Sequence, residues 1–540
     1  MKRLILLHIV CCCFLVGKAD YEMNTDSLIQ VFQNLSLVTI LPLAACGKKG
    51  DDGTKTDPAS DPGTTDPNET DEWGQNRYDD VVPKLDYGAT TVNILMREKG
   101  AEDPRRYEWY VDKIESGDEL SEKIWFRNQE IEEQLNVKLK FTQRVGDPGN
   151  DMLTPMIVNA FTGGGDGVDI ISHYHYYATS LATMECYKNV MHPDLTYLHL
   201  NNPYWNQNFI RYATSQDRLF VLQGDMNLST FMTTFVMFFQ KDLLRSMCAT
   251  EAADLYETVL DGKWTIDKLI EMCTDVAVLD SEDGDSAGDI YAFTSHYNVH
   301  AYDGFLAAFN MDLTQTDEEG KHSLVGSTAQ RKIQQAADKL VNFYRSDDVY
   351  LVGRGVTEYT TPVAAFRQNR SIFCVAGLGD YTHLSEMKID SWGLLPMPKY
   401  EARQDSYYAG VQDSHNTVAV MYGSDKNYEM ISAVLELFAS KSYASVRPVL
   451  FNRVIKGQKL QDPQSLKVFD LIMNSTRWDF ADIYPTAVQN VRNTLWRDAL
   501  RGAVYGDGKV SAAVLGAFVI NKDPMNKAFE KLDDWLYTHY

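Results

Sequence analysis

The chain has 540 residues, 44% of them hydrophobic and 23% charged, which is globular composition and excludes a mainly disordered chain or one that crosses a membrane many times. That length is too great for one ordinary domain and implies two or three. A formal charge of −24 repels phosphate backbones, so nucleic acid is not an expected partner.

Lys2 and Arg3 precede an apolar run from Leu4 to Val16 that is too short to span a bilayer, the pattern of an export signal. A second apolar run, Leu35 to Ala45, ends in Leu43-Ala44-Ala45-Cys46. This resembles the bacterial lipobox, which implies cleavage before Cys46 and a lipid on that residue. Asp20, Glu22 and Asp26 between the runs leave three readings open: a bipartite signal, a later start site, or a retained anchor at Leu4–Val16. Each places the chain on the outer side of a cell membrane, so residues 1–45 are expected to be a signal region. Residues 46–88 are expected to be a tether, because Thr56 to Pro67 repeats Asp-Pro three times and holds no large apolar side chain to offset ordering entropy. Outside these segments only Cys186, Cys248, Cys273 and Cys374 remain, scattered and without CxxC spacing. That argues against zinc and leaves disulfide pairing open.

Thr91–Met96 reads as a buried strand, followed by a helical stripe of Trp125, Phe126, Ile131 and Leu135. Val137, Leu139 and Phe141 then alternate with Lys138 and Lys140, which is strand periodicity. A helix over Met152–Phe161 runs into Gly163-Gly164-Gly165-Asp166-Gly167, and a strand follows at Val168–Ile171. Strands alternating with helices predict an α/β fold with a mostly parallel sheet and ligands at the carboxyl ends of its strands. The glycines follow a helix and precede a strand, the polarity of a helix stop and the reverse of a phosphate-binding loop. No HExxH, GxSxG or GxxxxGK[ST] signature occurs. His173-Tyr174-His175 offers two nitrogen ligands on one strand face without a third in view.

Several segments in order resemble the extracellular solute-binding proteins of ABC importers, in the sugar- and oligosaccharide-binding branch related to maltose-binding protein. They are Gly163–Ile171, Leu219–Asp225, Met237–Leu244, Trp264–Leu269, Ala365–Arg370 and Trp392–Lys399. The resemblance covers roughly residues 90 to 540. It implies a type II fold of two lobes, each a mostly parallel sheet flanked by helices, with the ligand in the cleft between them. Lobe 1 would take residues 89–235 and 396–445, and lobe 2 residues 236–395 and 446–540. The crossings would lie near Asn227–Val236 and Leu394–Lys399, and helices are expected over Tyr428–Ser440 and Met525–Tyr537. Such a monomer would catalyse nothing and need no cofactor. It would close on a carbohydrate and present it to a permease. A peptide-binding or sensory lipoprotein, or a carbohydrate-active enzyme with two facing carboxylates, are the alternatives.

Sugars offer flat C–H faces to aromatic rings and hydroxyls to polar groups, so cleft residues are sought at strand ends. Arg97 and Glu98 follow the first strand, and His173, Tyr174 and Tyr176 follow Val168–Ile171. Asp225 and Asn227 sit at the first crossing. His296 and Tyr297 follow Tyr291–Phe293, Asp380 and Tyr381 follow Ile372–Val375, and Trp496 lies in a late helical segment. One further loop is acidic. Ser281, Asp283, Asp285, Ala287 and Asp289 fall at positions one, three, five, seven and nine of an EF-hand-like spacing. Position twelve is Ala292 where that loop has Glu, so both a weak structural calcium and a solvated acidic turn stay open. Some members of the resembled family carry a calcium loop at this place.

Overall fold

The structure is a computed structural model that describes residues 81–98, 108–280, 288–352, 361–384, 387, 391–458, 463–506 and 512–538. All fall within the unit Thr65–Tyr540. Besides two short hairpins, its strands in chain order are β1 (Thr90–Arg97), β2 (Val137–Arg144), β3 (Ile170–Tyr174), β4 (Phe235–Gln240), β5 (Tyr291–His296), β6 (Val349–Val352), β7 (Ser371–Gly377), β8 (Trp392–Leu395) and β9 (Asn416–Val420). The helices that matter below are α1 (Glu119–Leu135), α2 (Leu153–Thr162), α3 (His175–Ala182), α4 (Gln207–Ala213), α5 (Val299–Ala308), α6 (Ser327–Tyr344), α7 (Tyr428–Lys441), α8 (Arg447–Gln458), α9 (Asp498–Tyr505) and α10 (Ala513–Thr538).

One sheet has the order β9-β3-β1-β2, the other β6-β5-β7-β4-β8. Strands β3, β4, β5 and β7 are buried along their whole length. That explains why Phe235-Val236-Met237-Phe238-Phe239 reads as an unbroken apolar run: helices cover both faces of a central strand. β2 is an edge strand, and Lys138 and Lys140 point outward from it, which discourages pairing with another chain. β1 pairs in parallel with β2 and β3, and β5 with β6 and β7. The antiparallel pairs are β9 with β3, β7 with β4 and β8 with β4. The second sheet is therefore evenly mixed, because β4 and β8 adjoin the passages between the sheets.

The chain passes from the first sheet to the second between Leu222, which still bridges Val418, and Phe235, the start of β4. It returns through residues 396–415. The two passages lie side by side: Thr234 bridges Val411, and the Gln412 N–H donates to the Thr233 carbonyl at 3.1 Å. A third passage is helical. α7 runs through a π-helical turn at Ser442–Val446 into α8, against α1, before the helix Pro463–Met473 packs on β8.

Local signals explain the boundaries. Asp118 caps α1 by accepting the N–H groups of Leu120 and Ser121, and Asn136 ends it at φ 46°. The buried stripe of α1 is Leu120, Ile124, Arg127, Asn128, Ile131 and Leu135, whereas Phe126 is exposed, so the expected stripe was displaced by one position there. The Gly163–Gly167 run stops α2. Gly165 has φ +87°, and a Cβ there would meet the Tyr422 carbonyl oxygen at 2.7 Å. Cys186, Cys248, Cys273 and Cys374 are all free thiols.

Candidate functional site

The carboxyl ends of β1 and β3 supply Arg97 and Tyr174, and the returning passage lays Gln412–His415 beside them. Arg97 is only 4% exposed. Its Nε donates to Asp147 Oδ1 at 2.8 Å and its Nη1 to the Ser414 carbonyl at 2.9 Å, and its guanidinium lies 4.5 Å from the centre of the Tyr174 ring. The Tyr174 hydroxyl donates to Asp413 Oδ1 at 3.2 Å. Asp413's other oxygen lies 3.9 Å from Arg497, whose Nε donates to both oxygens of Asp303 at 3.1 Å. Arg492 contacts Asp303 at 3.4 Å and Asp482 at 3.1 Å. A relay of alternating charge thus crosses from the first sheet, through Asp413, to α5 of the second.

Burial and neighbouring charge oppose each other at two groups of this relay, Arg497 and Asp482. Burial alone would depress the Arg497 guanidinium, but Asp303, Asp413 and Asp498 outweigh it and hold its pKa above the ordinary value. Burial raises Asp482 to about 6 against the pull of Arg492. Arg97, Arg492 and Arg497 thus face Asp147, Asp303, Asp413 and Asp482, of which Asp303 is the least exposed.

An aromatic cluster stands next to the relay. Tyr176 and Tyr177, at the start of α3, are half-buried, and their rings meet edge to face at 5.4 Å. Tyr174 lies 6.5 Å from Tyr176 and 5.5 Å from Tyr177. From the second sheet, Tyr297 follows β5 and meets the Tyr505 ring of α9 edge to face at 6.3 Å, and Arg501 donates to the Asn298 side chain at 3.2 Å. Half-exposed tyrosines beside amides and charges suit a polyhydroxylated ligand, whose C–H face covers a ring while its hydroxyls take the polar groups.

The other sequence candidates are placed differently. Glu98 is exposed just beyond β1. His173 is fully buried, and its ring is used on both sides: Nδ1 accepts the Tyr174 N–H at 2.8 Å, while Nε2 faces Thr154 Oγ1 at 3.2 Å and Asp151 at 3.5 Å. Burial lowers its pKa. His175 opens α3, outside the strand, stacked 4.5 Å from His415, with Nε2 donating to the Asp482 carbonyl. Burial pushes it down to about 4, so it is neutral at pH 7.

Asp225 is buried in an ion pair with Arg447 at 2.8 Å, and burial raises it to about 6. Asn227 is fully buried and closes a turn by accepting the Gly224 N–H at 3.1 Å. His296 is buried and accepts the Asn298 N–H at 3.3 Å. Asp380 accepts the Gly377 N–H at 2.9 Å. Tyr381 packs with Phe231 and Phe451 on a separate apolar cluster around Val446 and Leu450. Trp496 belongs to the core, not the cleft: it is fully buried and donates to the Tyr302 carbonyl at 2.8 Å.

Cys46, the signal region and nearly all of the tether lie outside the described residues, as do Ser281, Asp283, Asp285 and Ala287 of the acidic loop. Asp289 is described: it is buried, and Oδ1 accepts the Asp280 N–H at 2.8 Å. Among the described residues no three His, Cys, Asp or Glu side chains gather as metal ligands, and no helix is long and apolar enough to cross a membrane.

Sequence reasoning missed Asp147, Tyr177, Asp303, Asp413 and Arg497. Only Tyr177 had a visible signal, its place next to Tyr176.

No family model and no curated protein matches the chain. Solved structures do. The sugar-binding protein MalE of Xanthomonas citri superposes with a TM-score of 0.53 at 13% identity, over 84% of this chain and 100% of its own. The chain has the two-lobe fold of solute-binding proteins. The GacH receptor of Streptomyces glaucescens, solved unliganded and with acarbose, gives 0.50 at 11% identity over 84% of this chain and 100% of its own. An ABC transporter solute-binding protein of Thermotoga lettingae bound to α-D-tagatose gives 0.50 at 11% over 82% and 100%. In this fold the two sheets are the cores of the two lobes, and the relay through Asp413 runs across the junction between them.

Proposed function

We propose that this protein is a lipid-anchored extracytoplasmic receptor that captures a carbohydrate by lobe closure and hands it to an ABC permease without chemical change. The observation that carries the reading is the tyrosine cluster Tyr174, Tyr176 and Tyr177 at the carboxyl edge of one lobe's sheet, linked through Asp413 to Arg497 of the other. The fold supports it, as do sugars named with structures of similar fold: acarbose with GacH and α-D-tagatose with the Thermotoga protein. Arg97, Tyr174, Tyr176, Tyr177, Tyr297 and Asp413 form the proposed contact set, and Trp496 and Asn227 are left out because they are fully buried.

A thermal-shift screen against mono- and oligosaccharides tests the reading, since a ligand bound only by the folded state raises the melting temperature. At least one sugar should do so and be recovered unchanged. Product release would favour an enzyme, and shifts with peptides alone a peptide receptor.

The anchor is proposed on the lipobox resemblance at Leu43-Ala44-Ala45-Cys46 and the tether after it. Expressed in a bacterium, the Cys46→Ala protein should leave the membrane fraction. Retention there would make the Leu4–Val16 run the anchor.

A further inference from the structure

A second cavity lies away from the tyrosine cluster. α4, from the first lobe's side, meets the second lobe beside the short hairpin Thr314–Thr316/His322–Leu324. The Asn208 amide donates to the Thr476 carbonyl at 2.9 Å, and the Gln216 amide to the Glu319 carbonyl at 3.0 Å. Between these contacts and α6 is a cavity of about 430 Å³, adjoined by one of about 260 Å³ with which it shares Tyr212, Thr316 and Phe480. The larger is within the range of small-ligand sites.

The lining has a definite chemistry. Tyr212 and Phe480 give aromatic surface, and the side chains of Asn310, Gln315 and Thr316 give neutral polar groups. The charge is cationic, on a chain whose formal charge is −24. Arg211 is exposed on the rim of the smaller cavity, its guanidinium 5.6 Å from the Tyr212 ring, close enough to Asp312 to act on its charge. Among the described residues Lys332 meets one carboxylate, Glu401 at 3.6 Å, which Arg403 also holds at 2.9 Å, and its ammonium lies 5.7 Å from the centre of the Tyr400 ring. Asp312 is the carboxylate in the lining, and Arg477 already engages both of its oxygens at 2.7 and 2.8 Å. His322 is turned to Asp533 at 2.6 Å. Lys332 thus lines the larger cavity and Arg211 the smaller one that adjoins it, with Tyr212, Thr316 and Phe480 shared between them.

We propose that these two adjoining cavities together form a second binding site, for an anionic saccharide: a sugar bearing a carboxylate, which Arg211 holds from the smaller cavity and Lys332 from the larger while the shared Tyr212 covers its apolar face. Arg211 and Tyr212 come from one lobe and Lys332 and Thr316 from the other, so the ligand ties the two lobes together outside the cleft. The site stands whether or not the cleft binds a sugar.

Calorimetry on the full-length protein with digalacturonate is the test, with maltose and inorganic phosphate as controls. Digalacturonate should bind, and Arg211→Ala/Lys332→Ala should weaken it at least tenfold. Both substituted side chains are solvent-exposed, so the variant keeps its fold. Ala329→Trp, which fills the larger cavity, should abolish the same heat, and rising salt should weaken binding in the wild type but not the residual binding of the double variant. Absence of digalacturonate binding, binding indifferent to both variants, or equal binding of inorganic phosphate at this site would overturn the proposal.

Discussion

Arg497→Met should destabilise the folded protein by about 3 kcal/mol, the lower end of what is lost when one partner is removed from a buried ion pair. Asp303 is 1% exposed at its side chain and would keep Arg492 at 3.4 Å but lose the Arg497 guanidinium that engages both of its oxygens. A carboxylate in that position cannot recover its hydration, so the loss exceeds the attraction that the pair contributed. The double variant Asp303→Asn/Arg497→Met should lose less than the sum of the single changes, because the uncompensated charge is gone. Denaturant unfolding of the four proteins measures this. A single-variant loss below about 0.5 kcal/mol, or strict additivity, would mean that the relay is not a coupled unit.

The second large effect concerns binding. Tyr176→Ala/Tyr177→Ala should weaken the sugar found in the screen by at least about 2 kcal/mol, or thirtyfold in Kd, because each ring offers apolar surface that the ligand covers. Both residues are half-buried on the first turn of α3, and their loss opens no cavity in the main core, so stability should change far less than affinity. Calorimetry beside thermal unfolding separates the two. Unchanged affinity would remove these tyrosines from the contact set.

The fold was legible where a signal is local. Alternation at Val137–Phe141 and the glycines that stop α2 each act within a few residues, and each appears in the structure as read. Phe126 misled because helical spacing admits neighbouring stripes, and burial here chose the one containing Ile124 and Arg127. The site was less legible. Asp413 acquires its role from Tyr174, 239 positions away, and the hydrogen bond between them exists only once the returning passage lies beside β3. Asp225 stands at a crossing as expected, but its partner is Arg447, 222 positions on, which turns an expected sugar contact into a buried ion pair. Trp496 illustrates the same limit: a large aromatic in a late helix reads equally as platform or core, and a π-helical turn at Asn493–Arg497 sets it in the core while Arg497 reaches Asp303. Side-chain type is local, whereas exposure depends on the tertiary arrangement.

The central claim is that two lobes close on a carbohydrate. Small-angle X-ray scattering of the protein, with and without a saturating amount of the sugar identified by thermal shift, measures this directly. The radius of gyration should fall when that sugar is present and stay unchanged with a sugar that gives no shift. Stoichiometric binding with no change in the radius, or conversion of the sugar during the measurement, would contradict it.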